Sequence, residues 1–509
     1  MSNHGRQRGT FGRLHLRRTF LSPLSGRRKR EEIAGETELE MGKGAFAEHD
    51  YETAVKHFMR AAEYGNTEAQ FALACCYKLG QGVSQDTLQA VSWCRKAARQ
   101  GNPDAQFAMG CIYSEEKEIR PNINTAQKWW RRAAEQGHLR AQFYLGISYM
   151  LKKSDAKEAA VWFHKAAGQG HRKSQYFLGR FYKTGKGVVQ NAEKAFHWFL
   201  KSAEQGYPPA EFEVGLCYGT GKGVSMDQES SLKWIRTAAR HDDARALYAL
   251  AKYYDDKAGS PAARHSDKAI RLIRRSVRHG YPPAEYALGE YYLDARNGHP
   301  DPERAVKWLR KAAEHGHVVA AFRLGCHLMN GLDDVPENKS EAFKLFCEAA
   351  EKEFPPAFFM MGLCYSAGLG VSMNKTTAFK YFQQAAGYGV ADAMFSLYIC
   401  YGEGIGIAKD RTKAMEYLHK AAGSGCDMAQ FELGLRYYNG LGLKKKQDEG
   451  ISWLSKAAEQ GHERAQDSLA ELADLGNRKA GEELERINAP AKQQTSIPDH
   501  QSDDSQNEP

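Results

Sequence analysis

The stretch RRAAEQGHLRAQFYLG, residues 131–146, decides the fold because its pattern recurs along the whole chain. It combines the small pair Ala133-Ala134 with Gly137 and, nine residues further on, Gly146. Close copies of its RAAEQG segment stand at 60–65, 96–101, 165–170, 201–206, 311–316, 420–425 and 456–461, and looser copies at 237–242, 275–280, 348–353 and 384–389. A catalytic loop normally occurs once, whereas a packing unit can recur, so the pattern indicates packing.

The copies follow one another at intervals of about 36 residues and form twelve units. The first small residue of each copy gives the series Ala61, Ala97, Ala133, Ala166, Ser202, Ala238, Ser276, Ala312, Ala349, Ala385, Ala421 and Ala457. A repeat of this length is the signature of a solenoid, in which each unit contacts mainly its neighbours. We therefore predict one elongated core rather than the roughly three or four domains that the length alone suggests.

Each unit contains two stretches with helical spacing of apolar residues. In the segment 192–205 the apolar and small residues Ala195, Trp198, Phe199, Ser202 and Ala203 form one stripe, and Gly206 can end the helix in a left-handed conformation. The second stretch has the stripe Ala210, Phe212, Val214, Gly215 and Tyr218, followed by the tight turn 221–224. We term these the tryptophan helix and the glycine helix, and we expect the small residues to permit close helix crossing.

Seven of the eight tryptophans occupy one column, eight residues before the terminal glycine position. The column consists of Trp93, Trp129, Trp162, Trp198, Trp234, Trp308 and Trp453, with Leu272, Leu345, Tyr381 and Tyr417 in other units. Such a column predicts core packing, which contributes a few kcal/mol per ring. Only Trp130 stands outside the column, so it is the one tryptophan left as a candidate for stacking on a ligand.

The pattern A-x-x-W-x-x-K-A-A-x-x-G-x-x-x-A-x-x-x-L-G-x-x-Y-x-x-G-x-G-V resembles the Sel-one-like repeat, a relative of the tetratricopeptide repeat, over residues 50–475. The resemblance implies an all-α fold: an α/α superhelical solenoid of about twelve two-helix repeats. It also implies a concave surface, lined largely by the tryptophan helices, that holds protein partners. Asp242 and Glu353 replace the terminal glycine, so we expect bends near units six and nine. Tyr398 replaces the mid-helix glycine.

The ends of the chain differ from the repeats in composition. Residues 31–49 predict an acidic N-terminal capping helix and turn, and residues 476–487 a closing helix. Residues 1–30 form a basic leader and 488–509 a polar tail, both expected to be disordered. The leader contains eight Arg, one Lys and no acid, which equals the whole net charge of +9. The repeats are therefore nearly neutral, and nucleic acid is an unlikely partner for them.

The leader leaves the compartment open between several alternatives. No apolar region follows Arg17-Arg18, so twin-arginine export is unlikely, whereas mitochondrial import, nuclear import through GRRKR (26–30) and a bland basic extension all fit. No apolar stretch of 18 residues occurs, so no membrane span is predicted. Some exported relatives carry one cysteine pair per repeat, but the ten cysteines here are scattered over helices. Reduced thiols in a cytoplasmic protein are the favoured interpretation.

Three patterns that invite a chemical interpretation fit the repeat better. The turns GQGV (80–83) and GKGV (185–188) and their four relatives lack the strand and the full motif of a phosphate loop. His138, His171, His317 and His462 share a column with Asn66, Asn102, Tyr207 and Tyr281, which indicates a helix-entry position. His315 and His317 have no further ligands nearby. We therefore predict no metal, no cofactor and no catalytic residue.

One charged pattern is a candidate binding site. Basic pairs lie three residues apart on four tryptophan helices: Lys128, Arg131, Lys233, Arg236, Arg271, Arg274, Lys307 and Arg310. They either are solvated charge or form a ridge along which an acidic peptide binds. The sequence thus predicts a non-enzymatic adaptor that binds proteins or peptides. The alternatives are an exported or host-directed relative, a few of which are described as having hydrolase-type activity, and a nucleic-acid-associated protein acting through its leader.

Overall fold

In the computed structural model, the described residues are 23–115, 121–151, 155–257, 267–294, 300–331 and 335–488. The predicted tail from residue 489 and the first 22 residues of the predicted leader lie outside these ranges. The chain divides into two compact units, Met1–Ala246 and Leu247–Pro509. Below, the first unit and the second unit mean these two parts, each of which contains several of the twelve repeat units. The described residues form twenty-six α-helices, which confirms the all-α solenoid of two-helix repeats.

Helices α2 to α25 form twelve pairs. The tryptophan helices are α2 (Tyr51–Glu63), α4 (Thr87–Arg99), α6 (Ile123–Glu135), α8 (Ala156–Gly168), α10 (Ala192–Glu204), α12 (Gln228–Arg240), α14 (Asp267–Arg278), α16 (Pro302–Glu314), α18 (Lys339–Glu351), α20 (Lys375–Gly387), α22 (Arg411–Gly423) and α24 (Gln447–Glu459). The glycine helices are α3 (Thr67–Leu79), α5 (Pro103–Ser114), α7 (Leu139–Leu151), α9 (Arg172–Thr184), α11 (Pro208–Thr220), α13 (Ala244–Lys257), α15 (Pro282–Leu293), α17 (Val318–Asn330), α19 (Pro355–Ala367), α21 (Ala391–Glu403), α23 (Asp427–Asn439) and α25 (Glu463–Asp474).

A further helix stands at each end of the series. Helix α1 runs from Pro23 to Ala47 and begins eight residues before the expected start at Glu31. It packs against α2. Helix α26, Arg478–Asn488, packs against α24 and α25. Both helices therefore cover an apolar helix face that would otherwise end in water.

The helix boundaries follow from capping chemistry. Nine tryptophan helices begin at an Asp or Asn whose side chain accepts a hydrogen bond from a backbone N–H of the first turn, as Asp86 does from Gln89 at 2.9 Å. The four column histidines cap glycine helices in the same way, for instance His317 toward Ala320 at 3.1 Å. The prediction that this column is a helix-entry position is therefore confirmed.

The tight glycine turns are packed against backbone. In the turn 80–83, Gly82 has a φ of 71° and lies so close to the carbonyl of Tyr51 that a Cβ there would overlap it. Gly187, Gly223, Gly370 and Gly406 meet the first residue of their own tryptophan helices in the same way. The second glycine of the turn is therefore required for close packing within the repeat.

The two non-glycine helix ends keep the glycine conformation. Asp242 has a φ of 59° and Glu353 a φ of 56°, in the left-handed region. The next residues still donate to the helix as elsewhere, Asp243 to the Ala238 carbonyl at 3.0 Å and Phe354 to the Ala349 carbonyl at 3.1 Å. The turn is thus preserved at the cost of backbone strain, and the expected bends at units six and nine stay a prediction.

The core depends on one contact that is repeated between neighbouring repeats. Gly110 on α5 packs against the indole of Trp130 on α6, which is only 3% exposed. The same contact joins Gly146 to Phe163, Gly179 to Phe199, Gly215 to Ile235, Gly289 to Leu309, Gly325 to Phe346, Gly362 to Phe382 and Gly434 to Leu454. The mid-helix glycine therefore makes room for one large side chain of the next tryptophan helix.

This contact corrects the interpretation of the tryptophans. Trp130, the predicted free candidate for stacking on a ligand, is a core residue, so that prediction is wrong. The predicted column is only partly buried: Trp162 is 5% exposed, while the other six have intermediate exposure. The most buried position lies one residue after the column, because Trp130 follows Trp129 and Phe163 follows Trp162 on the face that meets the glycine helix.

Candidate binding surface

Most aromatic rings of the tryptophan column hold a cation above them. Lys96 Nζ lies 3.8 Å from the Trp93 ring centroid, and Lys165 Nζ lies 4.2 Å from that of Trp162. The same arrangement joins Arg132 to Trp129, Lys201 to Trp198, Lys311 to Trp308, Lys420 to Tyr417 and Lys456 to Trp453. The pair lies three residues apart on one helix face, so the ring orders the cation without neutralising it.

The structure places the predicted ridge residues on the same helices. In the first unit Lys128, Arg131, Lys233 and Arg236 are exposed, and Arg131 donates a hydrogen bond to the hydroxyl of Tyr149. That bond raises the pKa of Arg131, which keeps the guanidinium charged. In the second unit Arg271, Arg274 and Lys307 are exposed, while Arg310 is half-buried. The predicted ridge therefore has outward-facing cations in both units.

Two cations of the second unit lie beside carboxylates. In the second unit Arg310 pairs with Glu341 of the following tryptophan helix, and Lys311 Nζ lies 3.6 Å from Glu285 Oε1. A cavity of about 750 Å³ between α16 and α18 is lined by four glutamates and three cations, Glu314, Glu341, Glu348, Glu351, Arg310, Lys344 and Lys352. An acidic ligand meets more carboxylates than cations there.

In the first unit the cations above the tryptophans have no such counterpart, and among the described residues the same holds for Lys420 and Lys456 of the second unit. Among the described residues, no carboxylate lies within ion-pairing distance of Lys96, Arg132, Lys165 or Lys201. We term these four, together with Lys128, Arg131, Lys233 and Arg236, the basic face. It runs over consecutive tryptophan helices from α4 to α12. Sequence reasoning missed the four cations above the rings, although their spacing of three from the tryptophan column was a visible signal.

The architecture agrees with known proteins. The model of the Sel1 repeat matches residues 35–66, 67–102, 103–138, 139–171, 172–207, 208–243, 282–317, 318–354, 355–387, 391–426 and 427–462. The chain belongs to the Sel1 repeat family. Each family unit combines a glycine helix with the following tryptophan helix, so the first match joins the second half of α1 to α2. The pair α13 and α14 follows the period without a match.

Two solved structures are similar to the chain, and the first of them gives the same fold. A protective antigen present in uropathogenic Escherichia coli strains, with an SLR fold, is 27% identical, covers 88% of this chain and 99% of its own, and has a TM-score of 0.60. A Sel1 repeat protein from Oxalobacter formigenes is 26% identical over 75% of this chain and 89% of its own, at a TM-score of 0.35. No curated protein matches the chain in sequence. Sel1 repeat solenoids are generally protein-interaction scaffolds without catalytic function.

The histidines His315 and His317, which the sequence placed close together, both have structural contacts. His315 Nδ1 lies 2.7 Å from Glu285 Oε2, and His317 caps α17. Among the residues that the structure describes, no group of three His, Cys, Asp or Glu could hold a metal ion. Within the same residues, no helix has the length and apolar character to cross a membrane.

The ten cysteines are unpaired thiols in the described helices and turns. Burial raises the pKa of Cys94 to about 12 and that of Cys76, Cys217, Cys364, Cys400 and Cys426 to about 11. A thiol with such a pKa is protonated at neutral pH and is a poor nucleophile. These cysteines act as small apolar residues of the core.

Proposed function

We propose that this protein is a non-enzymatic adaptor that binds an acidic protein segment on the basic face of its first unit. The observation that carries the proposal is the run of cations on consecutive tryptophan helices, held above their rings and without carboxylate partners among the described residues. An extended segment crossing α4, α6, α8 and α10 meets one ordered cation per repeat. A compartment with reduced thiols, the cytoplasm, is part of the proposal and rests on the scattered cysteines.

The physical basis of recognition is electrostatic steering combined with ordered contacts. Unpaired cations near one another attract a chain of carboxylates and raise the association rate. Arginine adds bidentate hydrogen bonds to carboxylates, and Arg131 and Arg236 offer these at the predicted ridge positions. Because the cations are already held by cation–π contact, less side-chain entropy is lost when a partner binds.

The test is affinity capture from a native lysate, with and without nuclease treatment, using the full chain. The variant K96E/R132E/K165E/K201E reverses the charge of the basic face and should lose a protein that the wild-type chain captures. The matched control K173E/R180E/K186E/K222E makes the same charge change at exposed positions of α9 and of the turns 185–188 and 221–224, and it should retain that protein. Raising the salt concentration should weaken the wild-type interaction.

Two results would contradict the proposal. Equal loss in the control would show a response to net charge alone, and capture that is insensitive to both salt and the variant would place the partner elsewhere. Loss of capture after nuclease treatment would favour nucleic acid over protein as the ligand. Circular dichroism of both variants checks that their helix content equals that of the wild-type chain.

A further inference from the structure

One repeat of the first unit lacks the contact that fills the core elsewhere. Ala74 on α3 stands where Gly110 stands on α5, and Cys94 on α4 stands where Trp130 stands on α6. Both residues are buried, at 4% exposure each. The thiol occupies far less volume than the indole, phenyl or branched aliphatic groups at the corresponding positions of the other repeats.

An open groove of about 620 Å³ lies between α3, α4 and α5, and we term it the Cys94 groove. Ala74 and Cys94 line it, and its apolar walls include Phe71, Val91, Phe107 and Ile112. This size and apolar character are typical of ligand sites. All of the lining residues belong to the first unit.

An exposed leucine extends the apolar surface beside the groove. Leu88 follows the lining residue Thr87 and is 84% exposed. The corresponding residues of other tryptophan helices are polar: Asn124, Lys157, Glu193, Glu229, Glu303, Ser340, Thr376, Thr412 and Asp448. The same repeat that lacks the filling side chain therefore also carries an apolar residue at a position that is otherwise solvated.

The rim of the groove carries two unpaired cations that can contact carboxylates beside an apolar occupant. Lys78 at the end of α3 and Arg140 at the start of α7 both line the groove, and neither forms an ion pair among the described residues. Two carboxylates also line the groove: Asp104, whose Oδ1 lies 3.1 Å from His138 Nε2, and Glu115. His138 itself stacks on Phe107 with ring centroids 4.9 Å apart, so Asp104 and His138 form part of the wall.

We infer that the Cys94 groove is a second docking site, which takes a bulky apolar side chain of a partner protein segment with carboxylates beside that anchor. The anchor occupies the volume that Trp130 or Phe163 fills in the neighbouring repeats, and Lys78 and Arg140 contact the flanking carboxylates. The site is distinct from the basic face and shares with the proposed function only the premise that the scaffold binds protein segments.

The test uses defined peptides and the full chain. A short labelled peptide with one central Phe flanked by Glu on both sides is titrated by fluorescence anisotropy against wild-type protein. The variant A74G/C94F restores the glycine–aromatic contact and fills the groove, and it should weaken binding about tenfold or more. Replacing the peptide Phe by Ala should cause a similar loss. The charge reversal K78E/R140E should weaken this peptide and strengthen one with Lys in place of Glu.

Each outcome decides the inference. Equal binding to wild type and A74G/C94F, or no binding of the Phe peptide to wild type, would overturn it. Alkylation of Cys75 and Cys111, which are partly exposed in the groove, should slow when the peptide is bound, and unchanged rates would also contradict it. The basic-face variant K96E/R132E/K165E/K201E is the control: loss of this peptide there but not on filling would reject the groove and leave the proposed function standing. Thermal unfolding verifies that A74G/C94F is folded.

Discussion

Two neighbouring helix contacts of the first unit lie at equivalent positions of the repeat but give different surfaces. Between α5 and α6, Gly110 and Trp130 close the space between two repeats. Between α3 and α4, Ala74 and Cys94 occupy the corresponding positions and leave a groove of about 620 Å³. The caps and turn hydrogen bonds of the two repeats are alike, with Asn66 and Asn102 accepting from the first turns of α3 and α5, both at 2.9 Å. In this fold a surface can therefore be changed by two side chains without altering the framework.

The largest loss of stability is expected when the Gly110–Trp130 contact is replaced by the residues of the Ala74–Cys94 contact. The variant G110A/W130C copies Ala74 and Cys94 into the next repeat and removes a buried indole. Loss of a buried Trp with a cavity left behind costs about 3–5 kcal/mol. The measurement is urea unfolding followed by circular dichroism and by local hydrogen exchange, because long repeat arrays do not always unfold in two states.

The adjacent tryptophan provides the control for this variant. Trp129 is only partly buried and carries Arg132 over its ring at 4.8 Å. Trp129→Ala should therefore cost less than G110A/W130C. An equal or larger cost would mean that the half-exposed column, and not the residue after it, supports the core.

The second effect tests the glycine itself. A Cβ on Gly179 would lie 2.6 Å from the ring of Phe199, so Gly179→Ala should destabilise the protein by about 1–3 kcal/mol through overpacking. Helix preference alone would give the opposite sign, since Ala is favoured over Gly by about 1 kcal/mol. Gly44 on α1 has nothing within 4 Å of such a Cβ, and Gly44→Ala should be stabilising. Stabilisation by both changes in thermal unfolding would refute the close contact.

The sequence predicts the helix pairs well because they depend on local periodicity. The period of the small pair, the terminal glycine and the cap column determines α2 to α25, and the structure confirms the repeated pairs. Burial around Trp129 and Trp130 could not be assigned this way, since both lie on the apolar side of one helix. The deciding contact is with Gly110 of the preceding helix. A search for glycines twenty residues before a large side chain, as at Gly179 and Phe199, would have found it.

The candidate site was less predictable because its electrostatics are non-local. The exposure of Lys128 and Arg131 follows from their helix positions, and the structure agrees. The partner of Arg310 is Glu341 of the next repeat, which helical spacing alone does not reveal. The Cys94 groove could not be predicted from Ala74 and Cys94, because their importance becomes visible only when the glycine–aromatic contact of the other repeats is known.

A smaller effect is expected where the two neighbouring repeats are alike. Gln70 and Gln106 each donate to a carbonyl of the preceding tryptophan helix, Ala62 and Ala98, at 3.2 Å. Each also accepts from the next repeat, Gln106 from Gln136 at 2.8 Å. Gln106→Met keeps the volume and leaves the Ala98 carbonyl without this bond, at a cost of about 1–2 kcal/mol.

Gln70→Met should lower the free energy of unfolding by as much as Gln106→Met, measured by denaturant unfolding. The glutamine hydrogen bonds are the same beside the Ala74–Cys94 contact as beside the Gly110–Trp130 contact. A clear difference between the two variants would show that the groove loosens the backbone around it. Gln136→Met at the more exposed end of the bond should cost less than either, since water can replace the lost partner.

The smallest effect concerns the thiol that replaces the aromatic ring. Burial raises the pKa of Cys94 to about 12, above the value of about 9 of an unfolded thiol. Because the folded state holds the proton more tightly, the stabilising contribution is complete below pH 9 and declines as the pH rises toward 12. Wild type should therefore lose more stability than Cys94→Ala between pH 8 and pH 10 in parallel unfolding measurements.

The rate of alkylation of Cys94 should keep increasing with pH through this range, and the thiol introduced by W130C should behave in the same way. A plateau in the alkylation rate of Cys94 near pH 9 would mean that water reaches this thiol freely and that the Cys94 groove extends deeper between α3 and α4 than its walls indicate.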